Sequence, residues 1–393
     1  MSIRLIDVQT LRPKSFNGQK APPYAVLSHT WVEDEEVSFQ EMCQIAEEPG
    51  HLATQKSGYR KIWETCRVSL AYGIDYAWVD TCCIDKSSSA ELSEAINSMF
   101  NWYRDAAVCF AYLSDYYFLG PRHVERMREC KWFTRGWCLQ ELIAPKSLIF
   151  YDQAWKAFGS RHDLQALIAS ITRIDENVLA DHAAMYSMPV ARRMSWASSR
   201  VTTRVEDTAY CLLGVFDINM PMLYGEGGKA FIRFQEEIIR RFNDTSIFLF
   251  SPEVSSSAPP VRCEYPESST GKLYRASYWG DSQFLAAQYL KELSSYRFCG
   301  MFAHSPADFH AGGDVVHKHG SRASFDRQAF SVTNRGVQLG NQLLWYDWGK
   351  DCFIWETAFR HSNHINRMID GAIFLRKIGR KLFARVLIPM EEE

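Results

Sequence analysis

Four short runs rich in β-branched and aromatic residues punctuate the first 151 residues of this 393-residue chain, separated by longer stretches of helical pattern. Tyr24-Ala25-Val26-Leu27-Ser28 follows Pro22-Pro23, and Tyr76-Ala77-Trp78-Val79-Asp80 follows Gly73. Ala107 to Leu113 is the third run and Leu148 to Tyr151 the fourth. Strands that alternate with helices need crossover connections, which make neighbouring strands parallel and clothe both faces of the sheet. The expected fold class is therefore α/β: a parallel sheet with strand order 2-1-3-4, flanking helices, and a helical extension after it.

The helices carry their own signals. Residues 56–72 place Tyr59, Ile62, Cys66 and Leu70 on one stripe, with Gly73 as the stop. Ser88-Ser89-Ala90-Glu91 reads as a capping box, in which Ser and Glu side chains reciprocally satisfy backbone donors. Leu92, Ile96, Met99 and Tyr103 then recur at helical spacing. Arg135 to Ala144 reads as a short helix ended by Pro145. Residues 156–250 are mostly helical in pattern, closing on a stripe of Phe231, Phe234, Ile238 and Phe242. The Ser/Pro-rich stretch from Ser251 to Pro260 is a linker signal. Short aromatic runs beyond it, such as Leu343-Leu344-Trp345-Tyr346, suggest a small β-rich module. The expected division is an α/β core over 1–155, a helical extension over 156–250, a linker over 251–262 and the β-rich module over 263–393.

Charge and composition remove several function classes. Lys+Arg of 44 against Asp+Glu of 46 leaves −2, so no overall field favours nucleic acid or an anionic membrane. Met1 to Asp7 carries an acid and no apolar core of a secretory signal. No run approaches the ~20 apolar residues that span a bilayer. The expected location is cytoplasmic. Eleven cysteines are scattered without a C-x-x-C pattern, and no His/Cys spacing resembles a zinc site. Reduced, unmetallated thiols are the expectation, with no resident cofactor.

In an open parallel sheet, ligands bind beyond the carboxyl ends of the strands. The first run leads into Ser28-His29-Thr30-Trp31, the second into Asp80-Thr81-Cys82-Cys83-Ile84-Asp85 and the third into Ser114-Asp115. Before the fourth, Trp137-Cys138-Leu139-Gln140-Glu141 puts Trp137 and Glu141 one helical turn apart. Gly225-Glu226-Gly227-Gly228-Lys229 lacks the spacing of a P-loop and the hydroxyl residue after Lys, so ATP is not expected there. Arg204, Glu206 and Asp207 read as a structural ion-pair network.

These segments resemble the ordered blocks of the fungal heterokaryon-incompatibility (HET) family. The first is Tyr24 to Trp31, the second Tyr76 to Asp85, and the third Gly136 to Glu141. Arg204 to Tyr210 and Met220 to Gly227 continue the resemblance, which covers roughly residues 20–245. Val32 stands where members often carry Gly after the Trp. The resemblance implies a TIR/flavodoxin-like fold, a cytosolic role in vegetative incompatibility and regulated cell death, and a partner protein that triggers it. Enzymatic TIR domains cleave NAD at the nicotinamide–ribose bond through a glutamate in a W-x-x-x-E helix. That assigns Glu141 as catalytic, on a helix face expected to be partly exposed. Ser28, His29, Thr30, Trp31, Asp80, Cys83, Asp85 and Trp137 become the substrate-binding candidates, with NAD as substrate. A non-catalytic signalling module that self-associates or recruits death effectors is the alternative.

Overall fold

In the computed structural model, the four runs form the parallel centre of a seven-stranded sheet. The structure describes residues 2–17, 20–250 and 301–317, and beyond these the strands Arg297–Cys299, Ser331–Thr333, Gly336–Gln338, Leu344–Asp347, Cys352–Ser362, Met368–Gly379 and Leu382–Leu387. The sheet strands are β1 (Ser2–Asp7), β2 (Pro13–Asn17), β3 (Ala25–His29), β4 (Tyr76–Trp78), β5 (Val108–Tyr112), β6 (Leu148–Tyr151) and β7 (Ala157–Ser160). Their order is β2-β1-β4-β3-β5-β6-β7. Strand β3 pairs in parallel with β4 and β5, and β5 in parallel with β6. The central order is thus the 2-1-3-4 expected from the crossovers.

Both margins add antiparallel strands that the alternating pattern did not announce. The hairpin of β1 and β2 joins through β1 to β4, and β7 folds back on β6 within the segment expected to be helical. Ile3, Leu5 and Ile6 are buried by that hairpin. Arg4 clamps it to the rest by donating to both Glu91 oxygens, at 2.7 and 3.3 Å, with its guanidinium 3.8 Å from the Phe39 ring centroid.

The first helices are α1 (Phe39–Glu47), α2 (Ser57–Ala71), α3 (Asp80–Cys83), α4 (Ser89–Asp105) and α5 (Cys138–Ile143). Ile62 and Cys66 of α2 face the core, but Leu70 is 45% exposed. The buried face instead includes Lys61, Thr65 and Ser69; the Thr65 and Ser69 hydroxyls bond back to the carbonyls of Lys61 and Thr65, four residues earlier. Helix α4 starts on Ser88 as expected, with Glu91 N–H donating to the Ser88 hydroxyl at 3.3 Å. Its box is only half made, because the Glu91 carboxylate serves Arg4 and the Asp85 N–H. A complete capping box stands at Ser38 and Glu41, opening α1.

The extension holds α6 (Gln165–Thr172), α7 (Glu176–Ala180), α8 (Val190–Ser195), α9 (Asp207–Tyr210), α10 (Leu213–Phe216) and α11 (Lys229–Arg241). Phe231, Phe234 and Ile238 of α11 are buried, as the stripe predicts. At Gly214 of α10 an added Cβ would lie 2.2 Å from Phe100 Cβ of α4, so only glycine permits this approach. Phe309 packs on Phe250 with ring centroids 5.6 Å apart, and Gln235 exchanges hydrogen bonds with the Ala303 backbone, so residues 301–316 share the core of the extension.

Farther along, β8 (Arg297–Cys299), β9 (Val315–His317), β12 (Leu344–Asp347), β13 (Cys352–Ser362), β14 (Met368–Gly379) and β15 (Leu382–Leu387) build an antiparallel sheet. Strands β10 (Ser331–Thr333) and β11 (Gly336–Gln338) form a separate pair. The Ser/Pro-rich linker reading over 251–262 lies outside the described residues. No helix among the described residues is long and apolar enough to cross a membrane.

Candidate functional site

The strand order reverses at β3, whose neighbours β4 and β5 lead away in opposite directions. Doubly wound sheets bind ligands at such a switch point, beyond the carboxyl ends. Two side-chain clusters flank the end of β3, and successive residues of the strand feed opposite faces of the sheet.

Ser28 supplies the first cluster. Fully buried, it donates to the Glu141 carboxyl group of α5 and accepts from the Trp132 indole N–H at 2.8 Å. Tyr103 of α4 donates to the Leu27 carbonyl at 3.0 Å, and it also lies within hydrogen-bonding reach of Glu141, as does Cys138. Glu141 is only 6% exposed, not on the partly exposed helix face expected. All six residues of α5 are buried, because the helix is wedged between β3, α4 and the extension. Burial pushes the Glu141 carboxyl up to about 8, with the Asp80 charge acting in the same direction against the hydrogen bonds from Ser28, Cys138 and Tyr103. At neutral pH Glu141 is held protonated.

The second cluster gathers around Asp80, the first residue of α3. His29 Nε2 lies 3.1 Å from Asp80 Oδ1, and the Trp31 indole donates to Asp80 Oδ2 at 3.0 Å. Burial opposes ionisation of Asp80, but these bonds and the Lys86 charge outweigh it and hold the carboxyl below its usual range. Lys86 rests its ammonium 3.7 Å from the centroid of the Trp31 ring, which is 49% exposed. Lys61 of α2, 4% exposed, donates to the Thr30 carbonyl at 3.0 Å and to Glu36, and lies 3.3 Å from His29 Nδ1. Thr30 and Ser114 hydroxyls meet at 3.3 Å, joining the ends of β3 and β5. Val32 needs no glycine conformation: its N–H donates to Glu36 at 2.8 Å, and the left-handed residue of this loop is Asp34, at φ 59°.

The structure therefore brings together Ser28 with Glu141, and His29 and Trp31 with Asp80. The other candidates are engaged elsewhere. Cys83 is buried, and its sulfur accepts from the Val79 N–H at 3.4 Å. Asp85 caps a turn, taking the Gln40 amide at 2.7 Å and the Ser87 N–H and hydroxyl. The Trp137 indole lies within hydrogen-bonding reach of Asp207. Sequence reasoning missed Lys61, Glu36, Trp132 and Lys86. A Lys on a helix and a Trp in a loop carry no local mark of such roles, and Tyr103 read only as core.

The later blocks hold α5 in place. Gly136 N–H donates to the Val201 carbonyl at 2.9 Å, and a Cβ there would meet Thr202 at 2.5 Å. Asp207 takes the Tyr224 hydroxyl at 2.9 Å and lies within reach of Trp137, while Arg204 stacks on the Tyr224 ring instead of completing an ion pair. Gly225 and Gly227 offer their N–H groups to the Glu206 carboxylate at 2.7 and 3.0 Å, so this glycine loop cradles a side chain where a P-loop would cradle phosphate. At the far end of α5, buried Arg161 caps the Leu142 and Ile143 carbonyls at 2.6 and 3.1 Å.

Beyond β5 and β6 opens a cleft of about 200 Å³, lined by Asp115, Tyr116, Tyr117, Arg126, Cys130 and Gln153 among others. The eight cysteines whose side chains are described are free, and all but Cys43 are buried. Among the described residues no group of three His, Cys, Asp or Glu side chains is placed to hold a metal ion.

Residues 24–117, which hold β3, β4 and β5, match the sequence model of the family described as heterokaryon incompatibility protein (HET). The vegetative incompatibility protein HET-E-1 of Podospora anserina is 45% identical over 241 residues. That match takes in 59% of this chain and 17% of the relative, so the chain spans only a small part of the curated protein it resembles. No solved structure matches. Residues 24–117 thus resemble the heterokaryon-incompatibility (HET) family, and the first two of the family-like blocks end in residues that surround Asp80.

Proposed function

We propose that this chain acts in vegetative incompatibility in the fungal cytoplasm, with its TIR-like domain cleaving the nicotinamide–ribose bond of NAD. The name of the relative supports the role. One observation carries the chemistry: two carboxyls flank the end of β3 at the switch point, one ionised and the other held protonated by burial. Acids whose environments drive them apart in this way are a mark of acid–base sites.

In the reaction the C–N bond breaks, its electron pair leaves with neutral nicotinamide, and positive charge develops on the ribose. Water then adds to the ribose and releases one proton. The Glu141 carboxylate opposes the ribosyl cation and accepts that proton. The pyridinium charge of bound NAD favours the ionised form of Glu141, so binding primes the base. Trp31, with Lys86 displaced, offers a stacking face to the leaving ring. Because Glu141 lies behind Ser28 and Trp132, productive binding has to open that wall. Activation by an incompatibility partner or by self-association provides the occasion for it.

The test is incubation of the purified chain with NAD, following nicotinamide release. Wild type should release nicotinamide, and Glu141→Gln should lower the rate on the order of 10²–10³-fold, the usual cost of one lost electrostatic contact to a transition state. Cell killing that survives in Glu141→Gln with hydrolysis abolished would overturn the enzymatic reading in favour of recruitment.

A further inference from the structure

We infer that Lys61 is a positioning residue: its buried ammonium fixes the tautomer of His29 and, through the ring, the aim of the Asp80 carboxylate. The argument is one of donors and acceptors. An ammonium has only hydrogens to offer. Its approach to His29 Nδ1 at 3.3 Å therefore requires a lone pair on that nitrogen. The ring proton must then sit on Nε2, 3.1 Å from Asp80 Oδ1. Asp80 Oδ2 takes the Trp31 indole N–H, so each carboxylate oxygen is held by its own donor. Turning the imidazole over would set ring carbons against Lys61 and Asp80 and lose both contacts at once.

A loop clasp alone would not need this. Lys61 already ties the loop through the Thr30 carbonyl and the Glu36 carboxylate, and Glu36 in turn holds the Val32 N–H. These bonds compensate a charge that would otherwise be costly at 4% exposure. The third hydrogen of the ammonium goes to His29, and it decides the chemistry of the ring. With Nδ1 occupied by Lys61 and the Nε2 proton committed to Asp80, His29 orients the carboxylate and does not shuttle protons. This is the arrangement in which the partner behind a histidine sets which nitrogen carries the proton.

The assignment is tested on the full chain labelled with ¹⁵N in histidine, with His29 identified by the signals lost in His29→Gln. At neutral pH, His29 should show a bare Nδ1 and a protonated Nε2. A protonated Nδ1 in the wild-type protein overturns the inference without any further variant. In the charge-balanced pair Lys61→Met with Glu36→Gln, the Nδ1 lone pair loses its donor, so the wild-type tautomer should no longer be the single form. An unchanged tautomer in that variant, with wild-type circular dichroism, also overturns it. The second readout rests on the proposed NAD reaction: kcat should fall roughly 10–100-fold with KM little changed, the scale of losing an orienting partner behind a functional histidine. If wild type hydrolyses no NAD, that reading fails, while the spectra alone decide the role of Lys61.

Discussion

The stability of Glu141→Gln relative to wild type should rise as the pH rises. The carboxyl is 6% exposed and titrates at about 8 in the folded chain, against 4.5 for the ordinary group. Between those two values the folded chain keeps a proton that the unfolded chain has released. The sign follows: a raised folded pKa gives stability that is complete below about pH 4.5 and is lost progressively as the pH climbs through 8. The loss is about 1.4 kcal/mol per pH unit midway between those values and levels off near each, so from pH 5 to pH 8 it comes to roughly 3.5 kcal/mol. Glutamine does not titrate, keeps an acceptor for the Ser28 hydroxyl and is nearly isosteric. Whatever fixed offset the amide introduces, the gap between variant and wild type should widen by that amount over the window. Urea unfolding of both proteins at pH 5, 6.5 and 8, followed by circular dichroism, measures it, and every other titrating group cancels in the difference. Wild-type and variant stabilities that run parallel with pH would refute the burial argument, and with it the claim that Glu141 waits in its protonated form.

Under the proposed NAD reaction the same proton should appear in the kinetics: kcat/KM should rise with pH up to about 8, because that reading needs Glu141 ionised in the free protein. A profile flat from pH 6 to 9 would remove Glu141 from the rate equation. Gly214→Ala tests the packing that supports α4. Alanine gains about 1 kcal/mol of helix propensity but must displace Phe100, and overpacking of this kind costs about 1–3 kcal/mol or more. Net destabilisation in urea is expected, and a variant more stable than wild type would mean that α10 moves away from α4 at little cost.

The order of the parallel strands was legible because it follows from connectivity. Each helical interval had to cross the sheet, and right-handed crossings leave few arrangements. The antiparallel margins carry no such constraint. Strand β1 does alternate at Ile3 and Leu5, but its pairing partner is set by a tight hairpin and by Arg4 reaching Glu91, far along the chain. Strand β7, Ala157-Phe158-Gly159-Ser160, is too short and too exposed to carry a period of its own. Glu91 shows why a motif can be right about a helix start and wrong about a bond. Ser88 caps α4 as the pattern says, yet a better-paired cation takes the glutamate away.

The candidate site was legible only to first order, and the reason lies in what a helix period can report. Spacing placed Trp137 and Glu141 one turn apart, but it could not say that all of α5 is buried or that each side chain is met by a different part of the chain. Ser28, 113 residues away, meets Glu141, whereas Asp207 of α9 meets Trp137. The glycines after Tyr224 receive Glu206, the neighbour of Asp207 along the chain. Each of these contacts bears on the pose of α5, and so on whether Glu141 points at Ser28. The later blocks thus need not touch a ligand to matter for the site. Tyr224 reaches α5 only through Asp207 and Trp137, a connection that no local motif expresses. Lys61 stands to Asp80 in the same relation. The side chains of the candidate site were marked by their place at strand ends, and their partners were marked by nothing until the fold brought them together.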